Sequence, residues 1–596
     1  MKWSQKFCTF NEMLEYGRQN YPDNIAMADP VKKRQINYKQ LVEAVFSLSA
    51  KINSLVDTDG PFAVSVYGEN SMEWMLVFLS TVAGNNIIAP INNQIRDPGE
   101  IRRLIEMTGT KLIFAAKQHE DLFRRVLSGW PPDSAASAPQ VLSLEEACKP
   151  ILTSAVASPP DAAEGAKPAA GGAKRRMGPD DYAILLYTSG SIKTKGVMHT
   201  QKSLLSNQQS AAELLLVAHQ NEVFIAGLPL SHAYGLLCGF VPLYYGAIAV
   251  YAPTPRSLAD YISACSTAFP DKPLLTAGVP ELARIMNQKI MRSARGTAGK
   301  NAKAGKKIAN KIRYTAFLAM RSVNYFTSKN FNLDLSGLFF KAIKEKFGDE
   351  LKMPIGGGPI DSVTEYGLRS VGIRALSGYG TTEMAPLVAA NVPLFDYILT
   401  GSVGKAPPGM EITLIDDEVC CRGPNMMIGY LNNEDATNKA MPGDGWYHTG
   451  DKGYFVRKRF GGKPVPAGKP LGYIYTEDDN DCFLVLEGRV DNQFANHRGE
   501  NIFPEVIESL LMNYPLISSC RVYESPPSCV MAQIFPDADA LEEKLGKNPD
   551  ANEVRALIAQ IVKQVNLQLQ SGCQIDGFEL KDADFERNAF GKIKRS

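Results

Sequence analysis

Six short stretches of this chain hold the residue types that handle phosphate, a nucleoside and a carboxylate. In DYAILLYTSGSIKTKGV at 181–197 an apolar run ends in hydroxyls, glycines and two lysines, Lys193 and Lys195. Backbone N–H groups, hydroxyls and a cation in one loop suit polyphosphate oxygens. The loop is not a Walker A sequence, because G-x-x-x-x-G-K-[ST] is absent. IGGGPI at 355–360 lets bare backbone approach a flat ligand. LSGYGTTE at 376–383 then sets an aromatic, two hydroxyls and Glu383 side by side, suited to stack a base, bond a phosphate and hold Mg²⁺. In GDGWYHTGDKGYF at 443–455, Asp451 can accept from two vicinal ribose hydroxyls. GRVDNQFANHRGENIFPEVIE at 488–508 supplies a guanidinium, a glycine turn and a helix start, and the terminal GKIKRS carries Lys592. Alone, these also read as ordinary glycine turns, an exposed Glu and a solvated lysine.

The elements that must position these residues alternate in type. Helix-period stretches such as NEMLEYGRQN and YKQLVEAVFSLSAKI alternate with apolar runs such as FAVSVYG and KLIFAAK, which predicts an α/β layer around a buried sheet. The Ala, Pro and Gly-rich stretch at 153–181 has no apolar period and reads as an exposed linker. RKRFGGKPVPAGKPLGYIYTEDDND, between Phe455 and Phe483, reads as a hairpin excursion. FPEVIESLLMNY and NEVRALIAQIVKQVNLQLQ predict helices around the strand-like SSCRVYE and CVMAQIF, a smaller C-terminal unit.

From Arg284 to Arg313 there are ten Lys or Arg and no acid. Two readings stay open: a solvated helical insertion, or a basic surface for anionic lipid or a carrier's phosphates, each cation adding about 1 kcal/mol. Across all 596 residues, 64 Lys plus Arg balance 63 Asp plus Glu, which excludes the global charge excess of a nucleic-acid binder. The ten cysteines form no C-x-x-C pair and no His lies close to any pair, which argues against a zinc site or a disulfide framework and fits reduced cytosolic thiols. No signal peptide and no uninterrupted apolar run of about 18 residues is present, so the expected location is the cytoplasm, with peripheral membrane contact through 284–313 left open.

In this order and at these separations, YTSGS-x-K-x-KGV, GGGP, GYGTTE, YHTGD, GR-x-D and GKI resemble the AMP-forming adenylating superfamily of acyl-CoA synthetases, peptide-synthetase adenylation domains and luciferases. The resemblance covers essentially the whole chain. It implies a multi-domain α/β fold: a large domain (1–488) of two α/β layers with a small β-barrel-like part, a linker at 153–180 and a basic insertion at 287–325. A small mobile α+β domain (489–596) follows.

The same resemblance assigns roles. Thr188, Ser189, Gly190, Ser191, Lys195 and Gly196 would embrace the ATP phosphates. Adenine would lie between Gly357, Gly358 and Pro359 on one side and the Tyr379 ring, beside Gly380 and Thr381, on the other. Thr382 would bind the α-phosphate and Glu383 the Mg²⁺, while Asp451 and Arg489 hold the ribose. Lys592 would bridge the carboxylate and the α-phosphate. Rotation about Asp491 would then present the turn around Gly499 to a thiol. Against the family pattern S-G-[TS]-T-G-x-P-K-G, SGSIKTKG is one residue shorter and lacks the second Gly and the Pro. The stretch Gly488 to Gly499 is one residue longer than the common pattern, and Asn496 stands near a position often taken by Lys.

LPLSHAYGLLCGFVPLYYGA at 228–247 is similar to the family's PL-x-H-x-x-G segment, so His232, Tyr234 and Gly235 would border the carboxylate, with a core helix holding one satisfied His as the alternative. Gly278 and Gly356 would leave room for an acyl chain. The layout from 276 to 360 and the tail DADFERNAFGKIKRS are similar to long-chain fatty acyl-CoA synthetases. The implied activity is adenylation of a medium- or long-chain fatty acid with release of pyrophosphate, then transfer to coenzyme A. Two alternatives stay open: acyl or aryl transfer to a carrier-protein phosphopantetheine, and a degenerate nucleotide-binding homologue without turnover.

Overall fold

Caps and apolar periods decide where the first helices begin. Thr9 accepts from the Glu12 amide while Glu12 returns a carboxylate to the Thr9 amide, and Asn37 and Gln40 repeat the exchange, so helices start at Phe10 and Tyr38. Each reciprocal cap satisfies amides the helix cannot, an effect of about 1 kcal/mol. The computed structural model describes residues 3–596 apart from 131–137, 155–176, 189–193, 215–219, 221, 296–303, 332, 348–350, 359, 393–397, 458–464, 467–472, 477, 480, 497–500, 526–527, 547–548, 570–571, 588–592 and 594–596.

Two large sheets form the layers. The first runs Leu387–Ala390, Arg374–Gly380, Lys352–Ile355, Leu274–Thr276, Val223–Ala226, Ile248–Tyr251, Ile25–Asp29, Arg34–Asn37. Its six middle strands are mutually parallel and its two edge strands antiparallel. The second runs Gly429–Tyr430, Gly196–Thr200, Tyr182–Tyr187, Ile87–Ile88, Ala63–Tyr67, Leu112–Ala115, Gln140–Ser143. One hydrophobic cluster joins them, taking Phe224, Ala249 and Leu275 from the first sheet and Val64, Phe114 and Ile184 from the second. Met72–Ala83 is buried at every position and Ala233–Tyr245 at nearly every one, as helices apolar on all sides must be.

An antiparallel sheet of Glu411–Ile415, Glu418–Arg422, Tyr447–Arg457, Val465–Pro466 and Cys482–Arg489 closes over a third cluster containing Met384, Met410, Cys421 and Leu484. The C-terminal unit packs Pro504–Met512 and Ala551–Asn566 against the strands Ile517–Ser525, Cys529–Pro536 and Gly577–Leu580, around a cluster of its own. Its helices and long strands lie where the sequence periods put them. The linker is outside the described residues from 155 to 176, and its first two residues close the helix Leu144–Ser154.

The basic insertion forms the helices Pro280–Arg295 and Ala304–Phe331. The second is inside out. Arg321, Asn324 and Ser328 are buried, with the Arg321 Nε 2.7 Å from Ser370 Oγ and its guanidinium over the Tyr366 ring. Ile312 (65 % exposed), Val323 (46 %) and Phe326 (58 %) face outward. Among the described residues, no helix is long and apolar enough to cross a membrane.

Candidate active site

The ends of the candidate phosphate loop are tied together. Tyr187 pairs with Gly196 across the antiparallel strands, Thr188 N–H donates to the Lys195 carbonyl at 3.0 Å, and Lys195 N–H reaches Thr188 Oγ1 at 3.4 Å. Lys195 Nζ stands 4.6 Å from the centre of the Tyr430 ring, and Tyr430 donates its hydroxyl to Glu383 Oε1 at 2.7 Å. Burial, with the Glu383 charge adding to it, pushes the Tyr430 phenol far above its ordinary range, so it stays a donor.

Glu383 sits in the short turn Thr382–Met384, which three buried side chains anchor. His199 lies opposite the Thr382 carbonyl at 2.8 Å through Nε2, with Nδ1 3.2 Å from Ser203 Oγ. A carbonyl only accepts, so Nε2 carries the proton. Burial lowers this imidazole from 6.5 to about 4, against the opposing pull of the Thr382 carbonyl, and the ring is neutral. Asn207 and Asn425 each donate to the Met384 and Leu387 carbonyls. A Cβ on Gly380 would lie within 2.2 Å of the Pro386 carbonyl oxygen, so only glycine fits beneath the turn. The buried Thr381 Oγ1 has no partner among the described residues. A carboxylate fixed at one oxygen, beside hydroxyls, fits a hard cation such as Mg²⁺.

The nucleoside end is built on neighbouring strands. Lys352–Ile355 and Arg374–Gly380 run parallel, so Gly357 and Gly358 leave one carboxyl end beside Tyr379 on the other, where α/β sheets bind ligands. Gly357 has φ 83°, and side-chain positions built on Gly357 and Gly358 meet nothing closer than 3.7 Å. Tyr379 donates to Asp451 Oδ2 at 2.6 Å, and Arg489 Nε lies 3.5 Å from Asp451 Oδ1. Asp451 and Arg489 are cross-strand partners, which sets that pair. Buried Tyr447 connects the two halves: burial raises its phenol, followed by the charge of Glu383 and the neighbouring Tyr430 and Tyr379.

At the acyl end the predicted residues meet, but the space between them is occupied. Tyr234 donates to the Pro354 carbonyl at 2.9 Å, and its ring lies 3.1 Å from a Cβ built on Gly356. A Cβ on Gly278 would lie 2.2 Å from Met353 Cε, and one on Gly235 2.0 Å from the Pro229 carbonyl oxygen. Gly235 thus serves the tight start of helix Ala233–Tyr245, while Gly278 and Gly356 accommodate Met353 and Tyr234. His232 is the N-cap residue of that helix, with Nε2 3.1 Å from Asn92 Nδ2.

Ser189, Gly190, Ser191, Pro359, Gly499 and Lys592 lie outside the described residues. Asp491 is exposed in the one-turn helix Val490–Asn492, between the last strand of the antiparallel sheet and the C-terminal cluster. Asn496 is buried, with Nδ2 donating to the Gly572 carbonyl at 2.6 Å. His199, Asn207, Asn425, Tyr430 and Tyr447 were not singled out by the sequence reading. None belongs to a local chemical pattern except Tyr447, which stands inside the YHTGD stretch.

The profile of the family described as AMP-binding enzyme matches residues 14–431. The chain is 24 % identical over 511 residues to long chain acyl-CoA synthetase 6, peroxisomal, of Arabidopsis thaliana, covering 80 % of this chain and 65 % of that protein. It is 25 % identical over 555 residues to the long-chain-fatty-acid–CoA ligase FadD15 of Mycobacterium bovis, covering 88 % and 82 %. For long-chain-fatty-acid–CoA ligase 1 of Cavia porcellus the match is 29 % over 61 % of this chain and 49 % of that protein. The chain therefore spans from half to four fifths of the length of these relatives. The crystal structure of the anthranilate CoA ligase AuaEII in complex with anthranoyl-AMP shares the fold, with TM-score 0.70, 18 % identity, and coverage of 100 % of this chain and 96 % of that one. With the family profile matching well over half of its length, the chain belongs to the AMP-binding enzyme family.

Proposed function

We propose that this chain is an AMP-forming acid–thiol ligase that activates a carboxylic acid with ATP and passes the acyl group to coenzyme A. The observation that carries the reading is the closed set of contacts from Lys195 through Tyr430 to Glu383 and from Tyr379 through Asp451 to Arg489. These contacts gather a cation and two carboxylates, which supports reading them as ligands of phosphate, Mg²⁺ and ribose.

A carboxylate oxygen attacks the α-phosphorus, the bond to pyrophosphate breaks, and acyl-AMP forms. The thiol sulfur then attacks the acyl carbon and AMP leaves. Lys592 offsets the repulsion of two approaching anions, and Thr382 orients the α-phosphate. The neutral His199 fixes the Thr382 carbonyl without adding charge. Mg²⁺ held at Glu383 would neutralise charge on the phosphates. Rotation at Asp491 would clear Lys592 and bring up the Gly499 turn.

A medium- or long-chain fatty acid is the proposed substrate, supported by relatives named as long-chain ligases and by the apolar surroundings of Tyr234 and Met353. Acid-dependent ATP–pyrophosphate exchange tests the activation step. The parent should exchange with fatty acids and Lys592→Ala should not; a parent silent with every acid, though it binds ATP, would leave the degenerate homologue. An acid panel read by pyrophosphate release separates aryl from fatty acids, and coenzyme A against a phosphopantetheinylated carrier protein separates the acceptors.

We also propose peripheral contact with anionic lipid through the 284–313 insertion. The outward Ile312, Val323 and Phe326 supply an apolar face next to the basic run. Replacing Lys306, Lys307 and Lys311 together by Glu should weaken sedimentation with phosphatidylserine vesicles at least 100-fold, at about 1 kcal/mol per lost cation. Equal sedimentation of parent and variant sinks this reading.

A further inference from the structure

Where the strand Tyr447–Arg457 pairs with Glu418–Arg422, three donor atoms of different elements converge. Cys420 and Glu418 are two residues apart on the strand Glu418–Arg422 and therefore share a face. Cys420 lies directly opposite His448 in the antiparallel ladder. The Cys420 Sγ is 3.5 Å from His448 Nδ1, Glu418 Oε2 is 3.3 Å from the same nitrogen, and all three atoms lie within 4.8 Å of one another.

One imidazole nitrogen carries at most one proton, which cannot serve a sulfur and a carboxylate equally well. A cation can serve both. A tetrahedral zinc ion with bonds of about 2.3 Å to sulfur and about 2.0 Å to nitrogen and oxygen sets edges of about 3.5 Å and about 3.3 Å. Those are the spacings here. The surrounding bonds also suit a metal site. Asp444 Oδ2 lies 2.9 Å from His448 Nε2, the outer carboxylate that turns a metal-binding imidazole, and Glu418 Oε1 accepts the Gly450 amide at 2.7 Å, which leaves Oε2 pointing at the others. His448 and Glu418 are partly open, with side chains 19 % and 24 % exposed, while Cys420 forms the closed floor.

We propose that Glu418, Cys420 and His448 bind one Zn²⁺, with water in the fourth position and Asp444 orienting the imidazole. The thiol and imidazole select a borderline-soft divalent ion and disfavour Mg²⁺ and Ca²⁺. The sequence spacing hides the site because its ligands meet only through strand pairing. The site is made of residues that the acid-activation reading does not use: Cys420 pairs with His448 in the ladder, and Asp451 pairs with Arg489.

The full chain, freed of metal by a chelator and desalted under reducing conditions, should take up one Zn²⁺ in competition with a chromophoric chelator. Co²⁺ should give a thiolate-to-cobalt charge-transfer absorption. Cys420→Ser should lose both signals, Cys421→Ser should keep both, and Asp444→Asn should bind 10- to 100-fold more weakly. Glu418→Gln, which retains an acceptor for Gly450, should weaken uptake if Cys420→Ser does not fold. The inference fails if the parent takes up no zinc, or if the folded Cys420→Ser or Glu418→Gln chain matches the parent; the cluster is then a hydrogen-bonded Glu–His–Asp relay.

Discussion

The proposed nucleotide end and the proposed acyl end of the site are built by opposite means. Around Glu383 and Asp451 the carboxylates and the turn carbonyl are fixed by named partners: Tyr430 on Glu383, Tyr379 and Arg489 on Asp451, His199 on the Thr382 carbonyl. Around Gly278 and Gly356 the shape is set by side chains in contact, the flexible Met353 end and the Tyr234 ring. Directional bonds fix positions, whereas packing fixes a volume that a neighbour's rotation can change. Chemistry common to any acid belongs at the first end, and choice among acids at the second.

The comparison breaks most sharply at Glu383. Glu383→Gln keeps an acceptor for Tyr430 but removes the charge, and acid-dependent exchange should fall about 10²- to 10³-fold, or about 2.7–4 kcal/mol. The loss should be the same for every acid tested. A loss below fivefold, or one that varies with the acid, would mean that Glu383 is not at the reacting phosphates.

His199 tests the rigidity of the same end through stability. Its imidazole falls from 6.5 to about 4 on folding, so the unfolded chain takes up a proton first as the pH drops. Stability from this group is complete above pH 6.5 and declines between 6.5 and about 4, by about 3 kcal/mol at the lower limit. Denaturant midpoints measured across that window should drop more steeply for the parent than for His199→Gln. Parallel curves would show that His199 is protonated in the folded state, with Nδ1 donating to Ser203 Oγ while Nε2 keeps its bond to the Thr382 carbonyl.

Tyr430→Phe comes next. It keeps the ring under Lys195 and removes one hydrogen bond to a buried carboxylate, an effect of about 1.5–3 kcal/mol. Exchange should fall by about 10- to 100-fold, again regardless of the acid. Unchanged exchange would detach Tyr430 from the site.

These residues also show what the sequence discloses. Thr188, Gly380, Glu383 and Asp451 sit in short contiguous stretches where residue type and backbone need coincide, so a one-dimensional pattern exposes them. His199 and Asn207 reach the Glu383 turn from 183 and 177 residues away, and Tyr430 from 47. A histidine on a strand and an asparagine in a helix have no local signature, because the carbonyls they serve arrive only with the folded sheet. The helices at Phe10 and Tyr38 were legible because caps and apolar period agree. The helix Ala304–Phe331 lies in the stretch read as a helical insertion, but its buried side was not legible, since Ile312, Val323 and Phe326 are exposed and Arg321 is buried. Cys420 and His448, 28 residues apart, meet by strand pairing alone.

Gly356→Ala carries the smallest effect and bears on the acyl end alone. Its new Cβ would stand 3.1–3.3 Å from the Tyr234 ring, which must give by a few tenths of an ångström. Tyr234 is tethered through its hydroxyl to Pro354, so the ring must tilt rather than slide. Tilting alters the space beside Met353 without touching Glu383 or Asp451. Exchange with short acids should stay within about threefold of the parent, while kcat/KM for the longest accepted chain falls about tenfold, the effect of roughly one misplaced methylene in an apolar pocket. A chain-length series decides the point. A uniform fall across all acids would assign Gly356 to the nucleotide end, as a backbone surface for the base, and the division between the two ends would have to be redrawn through the strand Lys352–Ile355.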